Sequence, residues 1–371
     1  MRLRKADLRQ RINGKLAVRY DATGLSSFAG LELIRQYLSQ LELTEAIRRH
    51  ARRALPGSDF GRVAMVLLVL ALLITGGRRV RHVGYLETDP LVKRFCGLAQ
   101  IPAARTVGRW LGAFKPSGID GLLSLNEVLV GRVLKDSGLR RLTLDVDGSV
   151  VSTGLQVEGA RRAYNPHRRK VPSYFPITAY EAHTGQILRV RNRAGNVHDG
   201  KASLTFLQEL FAQLDASLTR RPTLEMRMDG AFFRKEIVDL LKDEGVEYAI
   251  KVPFYPWLGL KEPIARRRRW TRVDGTVDCF DMRLAISPWE RYMRVVIYRK
   301  RVAHRTHKNF QLDLFDPDDG YYEYSAVVTN KAVTGRTLWF FMCGRGAHEK
   351  VYGELKSGFA FDCVPTQRYQ A

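Results

Sequence analysis

The hydrophobic positions predict helices in the first third of the chain. Over residues 11–55, apolar side chains recur three and four positions apart, which is the period of an amphipathic helix. The apolar run over residues 63–74 predicts a fully buried helix, because it is too short to cross a bilayer. No strand pattern occurs before Leu142. We therefore predict a helical region over residues 1–138.

After residue 139 the period changes to that of strands. In RLTLDVDGSVVSTG, residues 141–154, Leu142, Leu144 and Val146 alternate with polar or charged positions. This alternation predicts a β-strand with one buried face. Further strand patterns lie in SYFPITAYEA, GQILRVRNR, TLEMRMDGAFF, VEYAIKV and SAVVTN. Helical patterns lie between them in ASLTFLQELFAQL and RKEIVDLLKDEG, and again over residues 336–359.

The order of these elements predicts the fold class. Three strands, a helix and then alternating strand and helix is the order of an RNase H-like α/β domain. We predict such a domain over residues 139–371, interrupted at about 253–325 by a β-rich insertion that contains many aromatic and arginine residues. The helical region before it would be a separate DNA-binding region.

The net charge of the chain indicates the class of its binding partner. The chain has 61 Lys and Arg against 38 Asp and Glu, a formal net charge of +23. A polyanion is the expected partner, and nucleic acid is the default candidate. The four cysteines are far apart without CxxC spacing, which argues against a zinc site and for a reducing compartment. The start of the chain has no signal-peptide pattern, so we expect a cytoplasmic protein without membrane association.

Carboxylates occur where the predicted strands end. Asp145 and Asp147 share one face of a strand, Asp229 ends a later strand, and Glu349 lies on the last helix. Such carboxylates could hold two Mg²⁺ ions, which prefer hard oxygen ligands. Each also has a structural interpretation: a solvated edge for the first two, a turn signal for Asp229, and an i,i+4 ion pair with Arg345 for Glu349.

Two basic segments are candidates for DNA contact. IPAARTVGRWLGAF, residues 101–114, predicts a short helix carrying Arg105 and Arg109, which could enter a major groove. Taken alone, the segment is interpreted more simply as an ordinary amphipathic helix. The arginine run at residues 266–269 could follow a DNA backbone with Trp270 as a stacking group, or be a solvated charge run.

The motifs around these residues resemble a known family. LTLDVDGSVVSTG with the following YNP and SYFP blocks, RMDGAFF, VVTN and RGAHEKVYGELKSGFAFD resemble DDE transposases of bacterial insertion sequences, in particular insertion-sequence family 1380. The resemblance covers nearly the whole chain. It implies that Asp147, Asp229 and Glu349 form the metal-binding triad, with Asp145 as the alternative first ligand. It also implies that Arg345 and Lys356 contact DNA phosphate.

The resemblance further implies the reaction. Members cut and rejoin double-stranded DNA at terminal inverted repeats and at a target, using two Mg²⁺ ions, for which Mn²⁺ can substitute. A homodimer assembled on DNA, associated with the bacterial nucleoid, is the expected form. Two features differ from the family pattern. Met342 stands at a position that is usually Tyr, and family members usually continue beyond the point where this chain stops, so we expect a C-terminally truncated copy. An RNase H-like nuclease and a non-catalytic DNA-binding remnant or repressor are the alternatives.

A polar loop between two predicted strands supplies the last candidates. Phosphate contact and simple solvation are equally compatible with its side chains, which are Tyr164, Arg168, Arg169 and Lys170.

Overall fold

The computed structural model describes residues 25–153, 156–162, 165, 168, 170–197, 199–302 and 322–370. From residue 25 to residue 138 the chain is helical, in agreement with the hydrophobic pattern, and residues 1–24 of the predicted helical region lie outside the described residues. The helices are α1 (Gly30–Gln40), α2 (Leu43–Ala46), α3 (Arg62–Ile74), α4 (Pro90–Cys96), α5 (Ala104–Gly112) and α6 (Pro116–Ser137). A π-helical turn (Ile47–Ala51) follows α2, and a 3₁₀ turn (Val80–Tyr85) precedes α4.

Helix α3 contacts two hydrophobic clusters, which explains why its sequence is apolar on all sides. Met65 and Leu68 pack with α4 and α5, whereas Val66 and Leu67 also contact the cluster around the π-helical turn and α6. The predicted helix is therefore confirmed, although several of its side chains are half-buried rather than fully buried. No helix in the described ranges is long and apolar enough to span a membrane.

The second part of the chain is built on one nine-stranded sheet. Its strands run in the order β5-β4-β1-β6-β7-β11-β10-β9-β8. They are β1 (Arg141–Gly148), β4 (Ile177–Glu181), β5 (Gln186–Arg191), β6 (Thr223–Met228), β7 (Glu247–Val252), β8 (Thr271–Arg272), β9 (Val277–Ile286), β10 (Arg291–Arg301) and β11 (Tyr322–Thr329). A small separate ribbon pairs β2 (Val151–Ser152) with β3 (Ser173–Tyr174). The later helices are α7 (Asp199–Ser217), α8 (Lys235–Asp243), α9 (Lys261–Arg266), α10 (Gly335–Cys343) and α11 (Gly346–Gly358).

The first five strands of this sheet have the predicted RNase H-like arrangement. β4 pairs antiparallel with β1 and with β5, while β6 pairs parallel with β1 and with β7. Helices α7 and α8 connect β5 to β6 and β6 to β7. The predicted fold class is confirmed.

Strand β1 is buried on both faces, so the prediction of a half-buried strand was wrong. Leu142, Leu144 and Val146 belong to a hydrophobic cluster with residues of α7 and α8. The opposite face, which carries Asp145, is covered as well. Helices α10 and α11 lie on that face. The alternation of apolar and polar residues along β1 could not predict that its polar side chains would be covered.

Strands β8, β9 and β10 extend the same sheet instead of forming a separate one, whereas residues 303–321 of the predicted insertion lie outside the described residues. β11 pairs antiparallel with β7 on one side and with β10 on the other. Phe280, Val295 and Ile297 from these added strands belong to the same hydrophobic cluster as Leu144 of β1. The added strands are therefore continuous with the core that holds the candidate carboxylates.

Candidate active site

Paired polar side chains project from one face of the neighbouring strands β1 and β6. The parallel register places Thr143 opposite Glu225 and Asp145 opposite Arg227. The Thr143 hydroxyl donates to Glu225 at 2.6 Å. Arg227 donates through Nε and Nη2 to the two carboxylate oxygens of Asp145, both at 2.6 Å. Both carboxylate oxygens of Asp145 are thereby occupied.

Two acids follow this register. The paired residues of β1 and β6 end at Asp145 and Arg227, and Asp147 and Asp229 come two residues later, at the carboxyl ends of neighbouring strands, which in a sheet lie about 4.8 Å apart. Asp229 keeps an extended backbone, and its Oδ1 accepts a hydrogen bond from the Ala231 amide at 2.9 Å. Two carboxylates this close repel each other unless a cation lies between or beside them.

Gly230 allows the segment after β7 to approach Asp229 closely. A Cβ at this position would lie 3.0 Å from Cγ of Pro253. The residue after Asp229 therefore has no room for a side chain unless Pro253 moves. The segment that follows β7 thus lies beside the carboxylate pair.

The cation beside this pair is Arg345, the residue that precedes α11. Its Nη2 lies 2.7 Å from Oδ2 of Asp147, and its Nη1 lies 4.0 Å from Oε1 of Glu349. Arg345 is buried, and its Nε has no hydrogen-bond partner among the described residues. A buried guanidinium with a free donor costs free energy, so this arrangement is retained at some cost to stability.

Helix α11 docks against β1 and β4 through two buried side chains, His348 and Tyr352. The Tyr352 hydroxyl donates to the backbone oxygen of Asp147 at 2.8 Å and lies 2.7 Å from Oγ1 of Thr178. His348 Nε2 lies 3.0 Å from the same Thr178 oxygen, and its ring stacks on Tyr180. Burial, with Arg345 and Arg227 nearby, lowers the pKa of His348 from 6.5 to about 4.

The strand carboxylates fit a divalent cation in donor chemistry. Asp147 and Asp229 offer hard oxygen atoms, as Mg²⁺ prefers. Within the described ranges, no three acidic, histidine or cysteine side chains form a group that could hold a metal ion. The third candidate, Glu349, has a side chain that is 70% exposed, so it lies beside the pair without completing a cluster.

Comparison with known proteins identifies the family of the chain. The family model described as transposase DDE domain group 1 matches residues 9–371. The chain belongs to this transposase family. A search of curated protein sequences finds no match.

Two solved transposase structures were compared with this transposase. The cryo-EM structure of the piggyBac transposase synaptic complex with hairpin DNA is 12% identical, with a TM-score of 0.45, over 91% of this chain and 70% of that chain. The crystal structure of the Mos1 mariner paired end complex with Mn is 10% identical, with a TM-score of 0.21, over 60% and 78%.

The other residues singled out in this transposase lie in different environments. Arg105 and Arg109 are exposed on α5, whereas Val107 and Trp110 on the same helix are buried. Lys356 is half-buried on α11. The remaining candidates belong to the polar loop, where Arg168 and Lys170 are exposed and Tyr164 and Arg169 lie outside the described residues. Met342, which stands where the family usually has Tyr, lies on α10 and is buried against the sheet.

The aromatic residue predicted to stack on bases is already engaged within the protein. Trp270 packs edge-on against Phe280, donates Nε1 to the Arg267 carbonyl, and lies under the guanidinium of Arg299. The exposed aromatic pair is instead Tyr255 and Trp257, whose rings stack 5.9 Å apart just after β7. Aromatic residues on either side of Pro256 were the signal in the sequence that could have identified this pair.

Proposed function

We propose that this transposase cuts double-stranded DNA at the terminal inverted repeats of a bacterial insertion sequence and joins the ends to a target. In this proposal Asp147, Asp229 and Glu349 are the metal-binding carboxylates. The observation that supports it most is the position of Asp147 and Asp229 at the carboxyl ends of the neighbouring parallel strands β1 and β6, in a chain whose family is that of DDE transposases. Insertion-sequence family 1380 is the subgroup that we propose.

The carboxylates would hold two Mg²⁺ ions, or Mn²⁺ in their place. Such ions, when bound, activate the attacking oxygen and stabilise the leaving oxygen of a phosphodiester displacement. In this proposal the ends of β1 and β6 supply Asp147 and Asp229, and Glu349 of α11 would complete the set. Asp145 has both oxygens on Arg227, so we assign it a supporting role.

The basic residues of the same helix would bind the DNA backbone. Arg345 already lies against Asp147, and a phosphate oxygen would supply an acceptor for its remaining donors. Lys356 lies further along α11, and its half-buried stem can carry the ammonium group toward the same strand of DNA.

A second DNA-binding surface is proposed on the helical region. Arg105 and Arg109 project from one side of α5, and Arg109 lines a cleft of about 690 Å³ together with Arg52 and Arg62. Duplex DNA bound there could reach the carboxylates in the same protomer or in a second one, and we propose a homodimer on DNA. Such a protein would act in the cytoplasm at the nucleoid. The loop with Tyr164, Arg168, Arg169 and Lys170 would add phosphate contacts.

Strand cleavage by the Asp229→Ala variant tests the proposal. The full chain is incubated with Mg²⁺ and a labelled duplex carrying the element's terminal repeats. We expect Asp229→Ala to abolish cleavage and to leave DNA binding nearly unchanged, because only a carboxylate at the strand end is lost. The control is Asp243→Ala, which removes an exposed carboxylate at the end of α8 and should cleave at the parent rate.

The same assay separates the alternatives. Cleavage by Asp229→Ala at the parent rate would contradict the site assignment. Hydrolysis by the parent without any joined product would favour a nuclease. Binding of the terminal repeats without any cleavage by the parent would favour a DNA-binding remnant or repressor.

A further inference from the structure

Helix α11 is attached to the sheet by a chain of buried hydroxyl and imidazole groups. The chain runs from His348 Nε2 to Thr178 Oγ1, then to the Tyr352 hydroxyl and finally to the backbone oxygen of Asp147, with lengths of 3.0, 2.7 and 2.8 Å. Thr178 and His348 are 1% and 2% exposed, and Tyr352 is 7% exposed. Water therefore competes little for these bonds.

The hydrogen-bond chain can run in one direction only. The Asp147 carbonyl has no proton, so Tyr352 must donate its single hydroxyl proton to it. Thr178 must then donate to the Tyr352 oxygen, and His348 must donate from Nε2 to Thr178. The imidazole is thus fixed with its proton on Nε2, while Nδ1 has no hydrogen-bond partner in the described part of the chain.

These hydrogen bonds, rather than apolar side chains, hold α11 against the sheet. In α11 the only buried residues are His348 and Tyr352, whereas α10 buries Leu338 and Met342 in a hydrophobic cluster. Apolar contact tolerates small shifts, because it is non-directional. Hydrogen bonds do not, because they weaken steeply with distance and angle.

We infer that Thr178, His348 and Tyr352 are positioning residues, which fix the position of α11 relative to the end of β1. Resting on the proposed function, this inference says that they hold Arg345 and Glu349 against the Asp147–Asp229 pair. The bond is made to the backbone of Asp147, so the helix is placed relative to the catalytic strand itself and not to a movable side chain.

Three variants test the inference by kinetics. Tyr352→Phe and Thr178→Val keep the shape and remove a hydroxyl, and Thr178→Ser restores the hydroxyl. We expect the first two to lower kcat for strand cleavage about tenfold or more, since small misplacements of catalytic groups have large effects. Their Kd for DNA should stay within about twofold of the parent value, and Thr178→Ser should recover most of the lost rate. Tyr292→Phe, at an exposed tyrosine, is the matched control.

Two further measurements do not depend on activity. In nitrogen NMR of histidine-labelled protein, with His348→Gln to assign the signal, we expect His348 to carry its proton on Nε2. Amide hydrogen exchange in α11 should be about tenfold faster in Tyr352→Phe than in the parent or in Tyr292→Phe.

The outcomes distinguish the inference from the proposed function. A proton on Nδ1 of His348, or unchanged exchange and unchanged kcat in both hydroxyl-deleted variants, would overturn the positioning role. A fall in kcat that Thr178→Ser does not rescue would do so as well. A parent protein that fails to cleave would contradict the proposed function alone, and the tautomer and exchange measurements would still decide on the hydrogen-bond chain.

Discussion

At the residue scale, the two aspartates of β1 lie two positions apart and have different partners. Asp145 is fully buried, and both of its oxygens accept from Arg227. Asp147 has a side chain that is 19% exposed, and it forms an ion pair with the buried Arg345. Loss of one charge from a buried pair leaves the other uncompensated, which typically costs about 3–5 kcal/mol.

This difference predicts opposite effects for Asp145→Asn and Asp147→Asn. We expect Asp145→Asn to lower the free energy of unfolding by about 3 kcal/mol and to retain measurable cleavage by the folded fraction. Asp147→Asn should abolish cleavage with Mg²⁺ and with Mn²⁺, because a ligand charge is lost. Its loss of stability should be smaller, since Glu349 lies 4.0 Å from Arg345. Denaturant unfolding and the cleavage assay check both variants.

The opposite result would assign the first metal ligand to Asp145 instead of Asp147. An inactive but stable Asp145→Asn, beside an active Asp147→Asn, is the pattern that contradicts the assignment.

At the element scale, a cluster of charged side chains links β1, β6, β7 and the segment just after β11. Lys331, just after β11, donates to Glu225 of β6 at 2.6 Å and also to Glu247 of β7, and Arg141 of β1 donates to both. Burial alone would raise the pKa of Glu225, but the hydrogen bonds from Lys331, Thr143 and Arg141 outweigh it and lower the pKa.

The cluster predicts a loss of stability in acid. A carboxylate with a lowered pKa in the folded state contributes stability above its unfolded pKa, here 4.5, and loses that contribution as the pH falls further. We expect the melting temperature to decrease as the pH drops below about 4.5. The Glu225→Gln variant should melt lower at neutral pH and depend less on pH in this range. Equal pH slopes for the variant and the parent would contradict this role.

The turn between α10 and α11 predicts a contrast between two glycines. A Cβ on Gly344 would lie 2.1 Å from Nη1 of Arg227, which is held by Asp145, whereas a Cβ on Gly346 meets nothing within 4 Å. We expect Gly344→Ala to lower the free energy of unfolding by about 1–3 kcal/mol through overpacking. Gly346→Ala, inside α11, should be neutral or stabilising by about 0.5–1 kcal/mol. Chemical denaturation of the two variants measures the difference, and equal effects would contradict the packing of Arg227 against the turn.

The sequence predicted the helices and strands well, but it did not predict which side chains contact each other. Alternation identified β1, β6 and β7, and it placed Asp147 and Asp229 at strand ends, as the structure has them. The burial of Arg345 was not predictable, because its partner Asp147 lies far away in the sequence and charge usually indicates exposure. The engagement of Trp270 also depends on β9 and β10, which only the folded sheet brings beside it.

At the scale of the whole molecule, the net charge of +23 predicts a strong salt dependence of DNA binding. Each phosphate neutralised contributes a slope of about −0.9 to log K against log salt. Replacing both Arg105 and Arg109 by Ala should reduce the slope by up to about 2. Lys242→Ala, on α8 and so on the opposite face of the sheet from α11, should leave it unchanged. Binding titrations between low and moderate salt measure the slopes, and a flat parent curve would indicate a different class of partner.

The contact between Tyr352 and Asp147 spans 205 positions of the chain, which has a consequence for synthesis. At about 5–20 residues per second, a ribosome needs on the order of 10–40 s to pass from one residue to the other. During that interval β1 has no α11 to cover its acidic face, and the arginine that neutralises Asp147 has not been translated. A ribosome-bound chain that stops before residue 345 should therefore show no strand cleavage, even with DNA and Mg²⁺ supplied. We therefore expect the proposed cleavage activity to arise only late in translation.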